Sequence, residues 1–420
     1  MTSATPPPPE AGALVRLVAR GRIVSDGMAI DGGVVATEDD RIVFAGPSTE
    51  FDAEFGAEFG GTELDLPADA VLMPGLVDLH CHGAAGVDFP NADEDEARRA
   101  LAFLHGRGTT TLLASLVTAP REALLSGIGL FSRLDAEGLV AGIHLEGPFL
   151  SHARCGAQNP DFLLAPDVDL AAELIEASDG RLVTMTYAPE LPRAAALVDL
   201  LTAHGVTPSL GHTDCDDATA AASLEQARDG LAAAGFDGAE GIPTVTHLFN
   251  GMPSLHHRAP GPVAACLRAA SRGGAVVELV ADGVHLDAAT VRTVFELVGA
   301  ANIALVTDSM AAAGLGDGHY TLGPSAVTVD DGVATLDATG SIAGGTATLI
   351  EVVAQTAAMG VPLEEAVVAA TAVPAAVLGR SDEIGSLRRG LRADLVAADA
   401  QLRPLAVVRA GRLLGASRGV

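Results

Sequence analysis

The chain has 420 residues, 49% of them apolar and 19% charged, and its 54 acidic against 25 basic side chains give a formal net charge of −29. That composition excludes a disordered chain. The charge excludes nucleic acid and an anionic membrane as main partners, because both are held by basic surface. A small anionic substrate stays open, since one well-placed Arg decides that locally.

Met1 to Gly12 is a Pro-rich polar stretch without a charged n-region or an apolar h-region, so it does not read as a signal peptide. Residues 13–72 read as short β segments separated by turns at Asp31-Gly32-Gly33 and Gly46-Pro47-Ser48. The middle, 73–385, alternates apolar strand-like runs with Ala-rich helical stretches such as 96–104 and 194–204. Eight strand runs are expected, at 71–79, 110–116, 139–145, 182–186, 207–210, 244–248, 275–280 and 303–307. That alternation predicts an α/β chain whose centre is a (β/α)8 TIM-type barrel, which needs about 250 residues. A doubly wound sheet is the other candidate, but it would place a Gly-rich phosphate loop after its first strand, where this chain has His80-Cys81-His82. Residues 386–420 return to short strands, with a hairpin turn at Ala410-Gly411-Arg412. The expected organisation is a small β-sandwich domain formed from 1–72 and 386–420, flanking a catalytic barrel over 73–385.

Four widely spaced cysteines, Cys81, Cys155, Cys215 and Cys266, argue against a disulfide framework and for a reducing compartment. No apolar run approaches the roughly 18 residues that span a bilayer. A soluble, cytoplasmic protein is expected.

In a TIM-type barrel the functional side chains sit at the C-terminal ends of the strands. Here five of those ends carry metal-binding or acid–base residues: His80 and His82, Glu146, His212, His247 and Asp308. His80 and His82 are two apart, so on a strand both face one side and can share a divalent ion. Alone, such a pair is as readily two core histidines, and His212 and His247 are each more often core or surface residues than ligands. Taken together, two imidazoles and a carboxylate make the ligand set of a catalytic metal with an open position. Asp308 is placed to take a proton from water and return it to a leaving amine. His144, two residues before Glu146, reads as a barrel-interior or supporting group.

Several blocks carry a resemblance. They are Pro74-Gly75-Leu76-Val77-Asp78-Leu79-His80-Cys81-His82-Gly83, His144-Leu145-Glu146-Gly147-Pro148-Phe149, Gly211-His212-Thr213, Thr246-His247-Leu248-Phe249-Asn250-Gly251-Met252, Ala281-Asp282-Gly283-Val284-His285 and Val306-Thr307-Asp308-Ser309. With the C-terminal run 385–396, they resemble the N-acetylglucosamine-6-phosphate deacetylases of the amidohydrolase superfamily, over nearly the whole chain. The resemblance implies hydrolysis of the acetamide of N-acetylglucosamine 6-phosphate, in amino-sugar catabolism and cell-wall recycling. It implies Glu146, His212 and His247 as metal ligands and His80 and His82 as the pair that holds a second metal in some members. It further implies Asp308 as the catalytic acid–base, and Asn250, Gly251 and His285 as substrate contacts. Arg258 would reach the phosphate of the neighbouring subunit in a homodimer; otherwise it is a plain loop Arg.

The chain departs from the pattern at Gln158, which stands where the family often has a His that polarises the substrate carbonyl. An amide can donate a hydrogen bond but does not titrate, so a second metal at His80 and His82 is expected to act as Lewis acid instead. Cys155 lies in the same loop, as an inert thiol or a substrate contact. One or two divalent ions per subunit are expected, zinc first and iron as the other candidate. Two rivals share the metal site or its fold: a hydrolase of another amide, including the galactosamine epimer, and a catalytically dead binding barrel.

Overall fold

The computed structural model describes residues 15–236 and 241–414. The Pro-rich stretch at 1–12 and the final residues 415–420 lie outside the described residues.

One sheet gathers both ends of the chain. Its strands Arg16–Ser25, Met28–Glu38, Arg41–Pro47 and Val71–Pro74 come from the first 74 residues. Leu395–Ala398, Pro404–Arg409 and Arg412–Leu414 come from the end, and Leu395–Ala398 pairs antiparallel with Val71–Pro74. The sheet is buried on both faces because its side chains alternate. Leu17, Ala19 and Val35 join one apolar cluster with Leu395 and Ala397, while Val18, Val34 and Ala36 join another with Phe44, Phe51 and Phe59.

The expected first barrel strand is in fact two. Val71–Pro74 belongs to the terminal sheet, and Leu76–Asp78 belongs to the barrel, where it pairs parallel with Thr109–Leu112. Gly75 is the joint: a Cβ there would lie 2.1 Å from Thr110 Oγ1 and 2.8 Å from Asp394 Cβ. An unbroken apolar run hides such a change of sheet. The second expected strand is likewise divided, into Thr109–Leu112 and Ala114–Val117.

From Ala114–Val117 onward the barrel runs in sequence order through Ile143–Glu146, Leu182–Tyr187, Thr207–Leu210, Thr244–Val245, Val276–Leu279 and Ile303–Leu305, every pair parallel. The ring closes between its first and eighth strands, where Asp308 N donates to His80 O at 2.9 Å and His82 N to Ser309 O at 2.7 Å. Closure, with the strands in sequence order and parallel, leaves no place for the doubly wound alternative. Helices intervene as the Ala-rich stretches predict, for example Glu94–Gly106 and Ala194–Ala203. The first of these is started by an Asp93–Glu96 capping box, which satisfies amide groups that the helix itself leaves free.

A three-stranded antiparallel sheet, Gly318–Leu322, Ser325–Asp330 and Val333–Leu336, follows the eighth strand and was not anticipated. Its sequence signal is Asp331-Gly332 between two β-branched runs, a strong hairpin signature. It packs on the barrel through Leu322, Val327, Val329, Met310 and Ala312. Among the described residues no helix is long and apolar enough to cross a membrane.

Candidate active site

The strand ends converge on one buried centre. Glu146 ends the third strand and is 3% exposed. Its Oε1 lies 2.9 Å from both His212 Nε2 and His247 Nε2, and those two nitrogens are 3.1 Å apart. His80 and His82 follow the first strand with their Nε2 atoms 2.9 Å apart, and Asp308 Oδ1 lies 3.3 and 3.4 Å from them. Glu146 joins the two groups, because its other oxygen, Oε2, is 3.2 Å from His82 Nε2.

Backbone geometry turns these side chains inward. His212, His247 and Asp308 have φ of 46°, 25° and 46°. Non-glycine residues pay about 1–3 kcal/mol for such conformations, and they persist at functional sites where the surroundings enforce them. Gly251, at φ 61°, leaves the room that His212 needs: a Cβ there would lie 2.9 Å from His212 Nδ1.

The far side of each imidazole decides which nitrogen faces the centre. His82 Nδ1 meets Ser115 O at 3.2 Å and His212 Nδ1 meets Arg154 O at 2.8 Å. A carbonyl only accepts, so each Nδ1 carries the hydrogen and each Nε2 keeps its lone pair for a ligand. His80 Nδ1 meets Glu278 Oε2 at 3.1 Å, with the same consequence. His247 Nδ1 is buried and has no partner among the described residues.

Charges arrange themselves accordingly. Burial opposes ionisation of Glu146, but His80, His212 and His247 outweigh it and hold its carboxyl well below the usual range. Burial likewise pushes Asp308 up, yet His80 and His82 hold it down as a carboxylate. In return, burial disfavours the His80 and His82 cations, but Asp308 and Glu146 raise both, His82 to about 9. His144 lacks such partners at its nitrogens, which meet Ser115 Oγ and Thr186 Oγ1. Burial, reinforced by His80, drives it well down, so it stays a neutral wall of the barrel.

The donor set fits a divalent metal. Two groups, His80–His82–Asp308 and Glu146–His212–His247, each bring three ligand atoms within 4.8 Å of one another. Around a tetrahedral ion with bonds of about 2.0–2.1 Å, ligand atoms stand a little over 3 Å apart, close to the separations of 2.9–3.4 Å found here. Protons on these imidazoles compete with an ion for the same lone pairs.

Above the centre lies a cavity of about 240 Å³, lined by His82, Glu146, Gln158, His212, His247 and Asp308 and, farther out, by Asn250, Gly251, His285, Leu322 and Ile342. His285 is held by Asp282, whose Oδ2 takes its Nδ1 at 2.8 Å. Gln158 is buried; its Nε2 donates to Glu146 Oε2 at 2.5 Å and its Oε1 accepts Thr118 N–H at 2.8 Å. Cys155 is a half-buried free thiol in the same loop. Arg258 is not in the cavity lining; it is exposed on the loop after Asn250, its N–H donating to His256 Nδ1 at 3.3 Å.

Four contributors were not read from the sequence. Glu278 braces His80, and its signal is a carboxylate inside the apolar run Val276–Leu279. Asp78 ties the first strand to the eighth by accepting Thr307 Oγ1 at 2.7 Å, and burial raises it to about 6 despite that bond. Leu322 and Ile342 reach the cavity from the three-stranded sheet and the loop after it.

Known proteins share the sequence and fold that carry this arrangement. The amidohydrolase family model matches residues 71–414. The N-acetylglucosamine-6-phosphate deacetylase of Vibrio furnissii is 34% identical over 331 residues, 78% of either chain. That of Bacillus subtilis is 33% identical over 77% of either chain. The solved structure of a Mycobacterium smegmatis N-acetyl-D-glucosamine-6-phosphate deacetylase, in complex with N-acetyl-D-glucosamine-6-phosphate, superposes with a TM-score of 0.83 at 35% identity, covering 96% of this chain and all of that one. A closed barrel, paired ligand groups at its strand ends and a match spanning most of the sequence agree: the chain belongs to the amidohydrolase family.

Proposed function

We propose that the chain hydrolyses the acetamide of N-acetylglucosamine 6-phosphate, giving glucosamine 6-phosphate and acetate, in amino-sugar catabolism. The observation that carries this reading is the Glu146-linked pair of ligand groups with Asp308 beside it, in a chain about one-third identical to enzymes of that name. Glu146, His212 and His247 would hold one divalent ion, and His80, His82 and Asp308 would hold a second where two are bound; zinc is the first candidate and iron the alternative. Such an ion supplies Lewis acidity and brings the pKa of water toward about 7.

The chain's own residues do the rest. Asp308, ionised beside His80 and His82, takes a proton from the water that attacks the acetyl carbon. It returns that proton to the amine nitrogen as the C–N bond breaks, so acetic acid and a neutral amine form, and the acid's proton then passes to the amine or to water to leave acetate. Gln158 fixes Glu146 with one amide hydrogen and has the other for the substrate. His285, steadied by Asp282, and the Asn250–Gly251 turn contact the sugar phosphate. Arg258 completes the phosphate site of a partner subunit in a homodimer, where a guanidinium fork suits the ligand. Four free cysteines suit a cytoplasmic enzyme.

Deacetylation assays on phosphorylated and unphosphorylated N-acetylglucosamine test the substrate. A kcat/KM at least about 100-fold higher for the phosphate is expected, since a charge-assisted phosphate clamp is worth several kcal/mol. Equal rates would refute it, and preference for the galactosamine epimer would reassign the sugar.

A further inference from the structure

Strand Val276–Leu279 is buried along its whole length, and Glu278 is its one charged residue, 1% exposed. A carboxylate withdrawn from water is unfavourable unless it is paired, so its partners reveal its use. Through one oxygen, Oε2, it takes two: the Nδ1 of His80 at 3.1 Å and the backbone N–H of His247 at 3.2 Å. The first residue belongs to one ligand group and the second to the other.

The other imidazoles are braced differently. His82 and His212 give their Nδ1 hydrogens to neutral carbonyls, and His247 Nδ1 has no partner among the described residues. His80 alone of these four is backed by a carboxylate. An anion behind Nδ1 fixes the tautomer and makes the opposite nitrogen a stronger donor. The contact to His247 N–H also sets the first strand against the sixth.

We propose that Glu278 is a positioning residue whose charge tunes the His80–His82–Asp308 group for its cation, leaving the affinity of Glu146–His212–His247 largely alone. This rests on the two-cation reading given above. Glu278→Gln keeps an oxygen for both N–H groups and removes the charge. It is expected to weaken one of two cation affinities about tenfold or more, as loss of an outer partner typically does.

The test strips the purified protein of metal and titrates Zn²⁺ under chelator buffering, for wild type, Glu278→Gln, His80→Asn and the double variant. Metal-free melting curves establish that each is folded, and Glu278→Asp, too short to keep the His80 contact, substitutes if the Gln variant is not. The wild type is expected to bind two ions per chain, and Glu278→Gln to weaken one of them. In the His80→Asn background the same change should cost nothing further, because its target is gone; a merely structural role would persist there. Two undisturbed affinities in Glu278→Gln, or an equal loss without His80, overturn the proposal alone. A single ion in the wild type overturns the two-cation reading and this proposal with it.

Discussion

Asp308 has a carboxylate oxygen within 3.4 Å of two imidazoles and a left-handed backbone, and its proposed work needs an ionised oxygen that can accept a proton. Asp308→Asn keeps the shape and removes that ability. Turnover should fall by at least about 100-fold, the scale of a lost acid–base group, while the Glu146–His212–His247 ion stays bound by metal analysis. Retained turnover would remove Asp308 from its role. Residues of this kind were legible in the sequence because they end apolar strands, where a polar side chain is conspicuous. Glu278 was not, since its partners His80 and His247 are far from it in sequence and only closure of the barrel brings them together. Arg258 was legible through resemblance alone; nothing in its exposed loop distinguishes it from other surface arginines.

Among the elements, the joint at Gly75 determines where the first strand begins. Gly75→Ala would drive a methyl against Thr110 and Asp394. Overpacking of this kind costs about 1–3 kcal/mol, so the melting temperature should fall, and metal content with it as Leu76–Asp78 shifts. An unchanged melting temperature would show that the joint is softer than its contacts imply. The three-stranded sheet is fastened near Asp88, whose Oδ2 accepts Gly323 N–H at 2.9 Å and Asn91 Nδ2 at 2.6 Å, while Asn91 Nδ2 also reaches Gly323 O. Burial pushes Asp88 up to about 7, against the lowering effect of those bonds. The folded chain therefore keeps a proton that an unfolded Asp releases near about 3.9. Between those values the folded state binds more protons, so this residue's contribution to stability falls as pH rises from about 4 to about 7. Melting temperatures from pH 5 to 8 should show wild type losing ground to Asp88→Asn; an opposite trend would discard the assignment. That fastening was invisible in the sequence. The sheet itself announces its turn with Asp331-Gly332, but a hairpin motif does not say what it packs against.

For the whole molecule, regular alternation of strands and helices was enough to predict the barrel, because each strand–helix unit can bury its apolar faces only by joining its neighbours. The exchange of one long run between two sheets was not predictable from periodicity, since buried strands of either sheet are apolar throughout. Assembly is the level at which Arg258 can be tested. Arg258→Ala should raise KM for the phosphorylated sugar and leave the unphosphorylated sugar unaffected. If the residue serves a partner subunit, co-refolding Arg258→Ala and Asp308→Asn chains in equal amounts should give about a quarter of sites with the wild-type KM for the phosphorylated sugar, by random pairing in a two-fold dimer. No restoration of that KM would place Arg258 in its own subunit's site or outside catalysis.

The terminal sheet also gives the protein a history in time. Pro74 leaves the ribosome long before Leu395, the residue it faces across the antiparallel ladder. Throughout that interval the edge of Val71–Pro74 is open, and open edges invite pairing with other chains. A chain arrested before Leu395 would already contain all the ligand residues from His80 to Asp308, yet it would lack the strand that anchors the entry to the first barrel strand. Truncated translation products should therefore aggregate rather than accumulate as half-active enzyme, because the strand that leads to the first ligands is completed only by one made long after them.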